Sequence, residues 1–236
     1  MSSVEDGPVV PVLAIDGPGG AGKGTVSRLV ADRLGWHLLD SGSLYRLVAL
    51  DALQSAVGLD SEAAVADLAA RLDVRFLSSD GQARVILNGL DVTEAIRSEA
   101  AGDGASRVAA LPGVRGALVG RQRGFRRAPG LVADGRDMGA VIFPDAGLKV
   151  FLTASVDERA RRRHKQLKDK GIDVSLSGLS RDMVERDRRD SERSIAPLNP
   201  SDDARILDTT GMAIPDVVEV VLRWASESGL TKSELT

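Results

Sequence analysis

Apolar residues recur along the chain in two rhythms. Residues 9–15 form a short, continuous, β-branched run, which predicts a strand buried on both faces. A glycine-rich turn follows, then a helical spacing over residues 23–34, with Gly35 placed to stop the helix. A second short run at 36–39 ends in Asp40-Ser41-Gly42, a sequence that caps a following helix. Further strands are expected at 131–133, 148–152 and around 206–207, with helical segments between them. This alternation predicts an α/β, three-layer fold on a parallel five-stranded sheet. One region departs from it. Residues 73–77 and 84–87 read as two strands joined by a turn at 78–81, and Asn88-Gly89 turns the chain again toward 90–93. A small antiparallel β insert is therefore expected inside the parallel fold. Residues 171–178 read as a loop, and the residues from about 227 onward as a polar, frayed end.

Composition narrows the chemistry. The 236 residues suit one domain carrying an insert. Aromatic residues make up only 3% against 43% hydrophobic, so Leu, Val, Ala and Ile must fill the core. There is no cysteine, which excludes disulfides and thiolate zinc sites, and His37 and His164 are too few for a His-rich metal site. A net charge of −3 argues against a nucleic-acid partner held by counterion release. Arginine is nevertheless crowded between Arg115 and Arg193, which leaves room for a local small-anion site. Residues 1–8 are polar and acidic without the apolar core of a signal peptide, and no apolar run has the length of a membrane span. A soluble cytoplasmic protein without a membrane partner is expected.

The sharpest motif is Gly17-Pro18-Gly19-Gly20-Ala21-Gly22-Lys23-Gly24-Thr25, directly after the first strand and opening the first helix. That is the context of a P-loop. Glycines let the backbone wrap phosphate oxygens, and the helix N-terminus adds positive dipole character. Lys23 can reach the outer phosphates of a nucleoside triphosphate, and the Thr25 hydroxyl can help hold Mg²⁺. The motif departs from the strict pattern, because Gly24 stands where a hydroxyl residue is usual. Gly-Lys-Gly-Thr is the variant of adenylate-kinase-like enzymes. Leu131-Val132-Ala133-Asp134 reads as an apolar strand ending in a metal-ordering carboxylate, with Asp16 as the alternative.

Three further segments bear on the phosphate acceptor: Asp40 to Arg46, Asp134 to Gly139, and Arg186 to Arg193 ahead of Ala196-Pro197-Leu198. With the P-loop, they make the chain resemble bacterial cytidylate kinases from about residue 12 to about 223. The resemblance implies that Ser41, Arg46, Arg136 and Arg193 hold the acceptor phosphate, with Tyr45 beside them. Ser106, Arg115 and Asp137 would read cytosine, and Arg186 and Asp190 would contact the ribose. The chemistry agrees, since arginine forks grip phosphate and a carboxylate accepts from the cytosine amine. Arg159, Arg162 and Arg163 fall where similar kinases carry a lid over ATP. Each segment also admits a plainer reading. Arg186 to Arg193, or Arg159 to Arg163, can be solvated charged helix faces, and Ser41 can be a helix cap.

The resemblance further implies an ATP-dependent, Mg²⁺-assisted kinase acting on CMP and dCMP, as a monomer. Within one kinase domain, the core would comprise about 9–40, 116–157 and 195–225, the monophosphate-binding region with its insert about 41–115, and the lid about 158–194. Kinases of UMP, dTMP or shikimate are the nearest rivals, and Asp137 with Arg115 speaks against them. A GTP-binding switch lacks support, because no Asn-Lys-x-Asp motif occurs. A non-catalytic nucleotide-binding module would not need Lys23.

Overall fold

In the computed structural model, residues 9–79 and 82–231 are described, apart from the side chains at 78, 79, 82 and 83. Strand β1 (Val12–Asp16) is buried along its whole length and runs into the glycine loop. Helix α1 (Lys23–Leu34) then stops at Gly35, whose φ of 64° only glycine adopts easily. Strand β2 (His37–Asp40) leads into α2 (Ser41–Gln54), capped by the Asp40 carboxylate accepting from Ser43 N. Asp40, not Ser41, is thus the helix cap. After α3 (Glu62–Ala70) come β3 (Val74–Ser79), β4 (Gln82–Leu87) and the short β5 (Leu90–Asp91). These three pair antiparallel as the expected insert. Asn88 and Gly89 both have positive φ, 49° and 82°, as a two-residue hairpin turn requires. Asp80 and Gly81, of the other expected turn, lie outside the described residues.

Helices α4 (Glu99–Val108) and α5 (Pro112–Arg123) return the chain to the sheet through β6 (Leu131–Asp134). A π-turn at Met138–Ile142 precedes β7 (Leu148–Thr153). Helices α6 (Val156–Asp169) and α7 (Leu176–Ser191) then pair through a small cluster of Ala160, Leu167 and Leu179. The loop expected at 171–178 is shorter, because Ser175 Oγ caps α7 at Gly178 N and draws Gly178 into the helix. Strand β8 (Arg205–Asp208) and α8 (Ile214–Glu227) complete the fold; residues 232–236 of the expected frayed end lie outside the described residues.

The five parallel strands lie in the order β2-β6-β1-β7-β8. Pleating sends successive side chains to opposite faces. Val12 and Ala14 accordingly join the core beneath α2 to α5, while Leu13 and Ile15 join the one formed with α1 and α8. Three layers result. Among the described residues, no helix is long and apolar enough to cross a membrane. Register sets Asp134 beside both Ile15 and Asp40, so the carboxyl ends of β1, β2 and β6 meet on one edge. Ligands of open parallel sheets collect at that edge.

Candidate active site

The glycine loop rises from that edge. Gly17 has φ 144°, and a Cβ there would fall 1.9 Å from the Leu152 carbonyl oxygen, so β7 leaves space only for glycine. Gly22 caps α1 with φ 93° and offers no side chain to the first amides of the helix, which are left available to an anion. Lys23 is buried and its Nζ donates to Pro18 O at 3.0 Å, folding it over the loop. Burial, reinforced by the Arg136 charge, pulls Lys23 down to about 7. Burial raises Asp134 to about 7 against the opposing pull of Lys23. An arriving polyphosphate would restore the lysine charge. Asp16 accepts from Met138 N at 2.8 Å and Gly139 N at 2.9 Å, one bond to each oxygen. Its carboxylate holds the π-turn, whereas Asp134 and Thr25 line the cavity with Lys23, and Asp40 lines it beside Asp134.

The cavity has a volume of about 1580 Å³ and extends from Gly19 and Thr25 to Ser106 and Arg193. A single drug-sized ligand fills roughly 300–1,000 Å³, so there is room for two nucleotides. Arginines converge at its waist. A Cβ added at Gly19 would lie 3.6 Å from both Arg136 Nη2 and Arg186 Nε, and one at Gly102 would lie 3.7 Å from Arg186 Nη1 and 3.8 Å from Arg46 Nη2. Arg46 is braced by a 2.7 Å bond from Nη1 to Ile96 O. Burial and the Arg136 charge push Arg186 down to about 10. Arg186 Nε and Arg193 Nη2 are buried with no hydrogen-bond partner among the described residues. Buried donors left unpaired beside like charges mark a place for an anion.

Further along, Arg115 and Asp137 form a buried ion pair, with the Arg115 guanidinium 6.0 Å from the Tyr45 ring centroid. Burial raises the Asp137 carboxyl, and Arg115 and Arg193 oppose that rise. Asp190 accepts from Arg136 Nε at 3.1 Å and from Ser106 Oγ at 3.4 Å. Burial of Asp190 is outweighed by Arg136, Arg193 and Arg186, which hold its carboxyl below the ordinary value. Both readings of α7 are realised on different faces. Arg186 and Asp190, with Arg193 just past the helix end, line the cavity, whereas Arg188 pairs with Glu185 and Glu192 in solvent.

The three arginines of α6 differ. Four of the five N–H donors of Arg159 are committed. Its Nε donates to Ala154 O, Nη1 to Gly19 O at 3.0 Å, and Nη1 and Nη2 to Asp187 at 3.1 and 2.5 Å. It ties α7 to the glycine loop. Arg162 donates to Glu158 and to Thr209 O at 2.6 Å, and Arg163 pairs with Glu99 of α4. Asp187, Thr209 and Glu99, together with Gln122, which accepts from Ser41 Oγ at 2.7 Å, are the partners that sequence reasoning missed. Only Gln122 left a signal: it stands seven residues from Arg115, two turns along the same buried face of α5.

A P-loop facing a second, arginine-lined anion site defines a small P-loop kinase that phosphorylates a phosphate-bearing acceptor. The family model described as cytidylate kinase matches residues 13–227, and the chain belongs to that family. A protein named cytidylate kinase from Pseudomonas aeruginosa is 61% identical over 222 residues, covering 93% of this chain and 97% of that one. Its namesake from Aeromonas hydrophila subsp. hydrophila is 55% identical over 219 residues, 93% and 95% of the two chains. That from Klebsiella pneumoniae is 55% identical over 218 residues, 92% and 96%.

Proposed function

We propose that the protein transfers the terminal phosphoryl group of ATP to CMP, and to dCMP, giving ADP and the cytidine diphosphate. The observation that carries this reading is a pair of buried arginine donors without partners among the described residues, Arg186 Nε and Arg193 Nη2, in the same cavity as Lys23 and the glycine loop. In this reading the loop from Gly17 to Thr25 holds ATP, with Lys23 at the outer phosphates. Ser41, Arg46, Arg136 and Arg193 hold the acceptor phosphate. Asp190 faces the ribose, and Arg186 spans from there to Gly19. Arg115 and Asp137, with Ser106 and Tyr45 nearby, read the base. The carboxylate accepts from the cytosine amine, whereas uracil would set a carbonyl against it.

A phosphate oxygen is already a nucleophile, so no strong base is required, and the rate comes from alignment and charge compensation. Thr25 and Asp134 are hard oxygen donors on the cavity wall and fit Mg²⁺, directly or through water; the ion would neutralise charge on the ATP phosphates. The helical pair α6–α7 acts as the lid, with Arg159 fixing it to the loop and Arg162 and Arg163 poised beside the phosphates. The division into core, monophosphate-binding region and lid follows the boundaries given above, in a cytoplasmic monomer. The test is a coupled assay of ADP release with CMP, dCMP, UMP, AMP and dTMP. CMP and dCMP are expected to lead, and a preference for UMP or AMP would overturn the base assignment.

A further inference from the structure

Gln122 is a polar side chain with no exposed surface, set on α5 directly behind Ser41. Ser41 Oγ and Gln122 Oε1 are 2.7 Å apart, with Ser41 as donor. In that arrangement Gln122 Nε2 has no partner among the described residues. It also turns the Ser41 proton away from the cavity, so that Ser41 offers an incoming phosphate only lone pairs, which an anion repels. Rotating the amide by half a turn exchanges its oxygen and nitrogen with little change in shape. Nε2 then donates to Ser41 Oγ and frees the hydroxyl proton to point into the cavity.

We propose that Gln122 is a positioning residue that holds the Ser41 hydroxyl as a hydrogen-bond donor to the acceptor phosphate, through a two-residue relay from Gln122 to Ser41. This rests on the reading of Ser41 as an acceptor-phosphate contact. An apolar residue at 122 would match the buried Val114 and Leu118 on the same face, yet would leave the serine rotor free. The relay needs no charge, so it orients the hydroxyl without adding to the crowd of arginines.

The test is a double-mutant cycle of Ser41→Ala and Gln122→Met, the latter similar in size but unable to form the relay. Each single change is expected to raise KM for CMP about tenfold, the effect of losing one hydrogen bond to a charged group. KM for ATP should stay unchanged, and the double variant should be no worse than Ser41→Ala alone. Multiplying effects, or equal changes in both KM values, would make Gln122 merely structural. If Ser41→Ala leaves KM for CMP unchanged, the Ser41 contact itself falls. If Ser41→Ala raises it and Gln122→Met does not, only the relay falls. Should Gln122→Met not fold, the parent protein labelled with ¹⁵N-glutamine serves instead. It has four glutamines, at 54, 82, 122 and 166, so the Gln122 amide signal is assignable by substituting the other three. That signal should move on adding CMP and not on adding cytidine, which lacks the phosphate; the same response to both would overturn the relay.

Discussion

Replacing Asp137 by asparagine perturbs two things at once, and their sizes differ enough to be separated. Asp137 and Arg115 are 4% and 6% exposed, and Asp137 also faces the Arg193 charge. Removing one member of such a buried pair costs about 3–5 kcal/mol, because the remaining charge is left uncompensated. For a domain of this size each kcal/mol lowers Tm by about 2–4 °C, so a fall of about 6–20 °C is expected. The second effect is chemical. Asparagine keeps one acceptor oxygen, which Arg115 engages, and turns a donor toward the base, which suits uracil and not cytosine. Losing a hydrogen bond to a charged acceptor is worth about 1.5–3 kcal/mol, or roughly 10–150-fold in kcat/KM for CMP. Activity with UMP should fall less, or rise, so the preference for CMP over UMP should narrow by at least about tenfold. Both substrates are compared in the coupled assay well below the Tm of the variant. A lowered Tm with an unchanged ratio of CMP to UMP activity would show that Asp137 is structural only. Removing both charges, Arg115→Met with Asp137→Leu, is expected to recover much of the lost Tm and none of the activity.

Three other outcomes follow from the loop and its edge. Gly17→Ala would drive a methyl group into the Leu152 carbonyl at a φ of 144°, so ATP binding measured by calorimetry should be lost or the protein should fail to fold; normal affinity would refute the tight turn. Lys23→Met should lower kcat by about 10²–10³-fold or more while leaving CMP binding intact, and retained turnover would favour a non-catalytic role for the loop. Burial raises Asp134 to about 7 from an ordinary 3.8, so the folded protein binds the extra proton and this group's stabilising contribution is lost as pH rises toward 7. The Tm advantage of nucleotide-free Asp134→Asn over the parent should therefore grow as pH rises from acid to about neutral and then level off, and a constant difference would refute the burial.

Much of this was legible in the chain. The run before Gly17 is uniformly apolar because β1 lies at the centre of the sheet with both faces covered, and that demand is visible locally. Gly35, Asp40 and Asn88-Gly89 announced their turns for the same reason, since each acts on its own neighbours. Residues 186–193 admitted both an acceptor contact and a solvated charged face, and only the fold shows which of their side chains meet the cavity. What stayed hidden depends on distant partners. Asp16 carries a metal-like signature but is committed to amides 122 and 123 residues away. Arg159 resembles a free catalytic arginine until Asp187 and Gly19 are placed around it. Gln122 shares a helical face with Arg115, yet nothing local shows that Ser41, 81 residues earlier in the chain, is packed over it.

The claim beneath all of this is that one cavity holds two nucleotides with their phosphates facing each other between Lys23 and the arginines. A single molecule joining adenosine and cytidine through a chain of five phosphates tests it most directly. Inhibition competitive with both ATP and CMP is expected, with affinity well beyond that of either nucleotide alone, because one molecule would occupy both sites at once. Competition against only one of the two substrates, at the affinity of that substrate's own half, would contradict it.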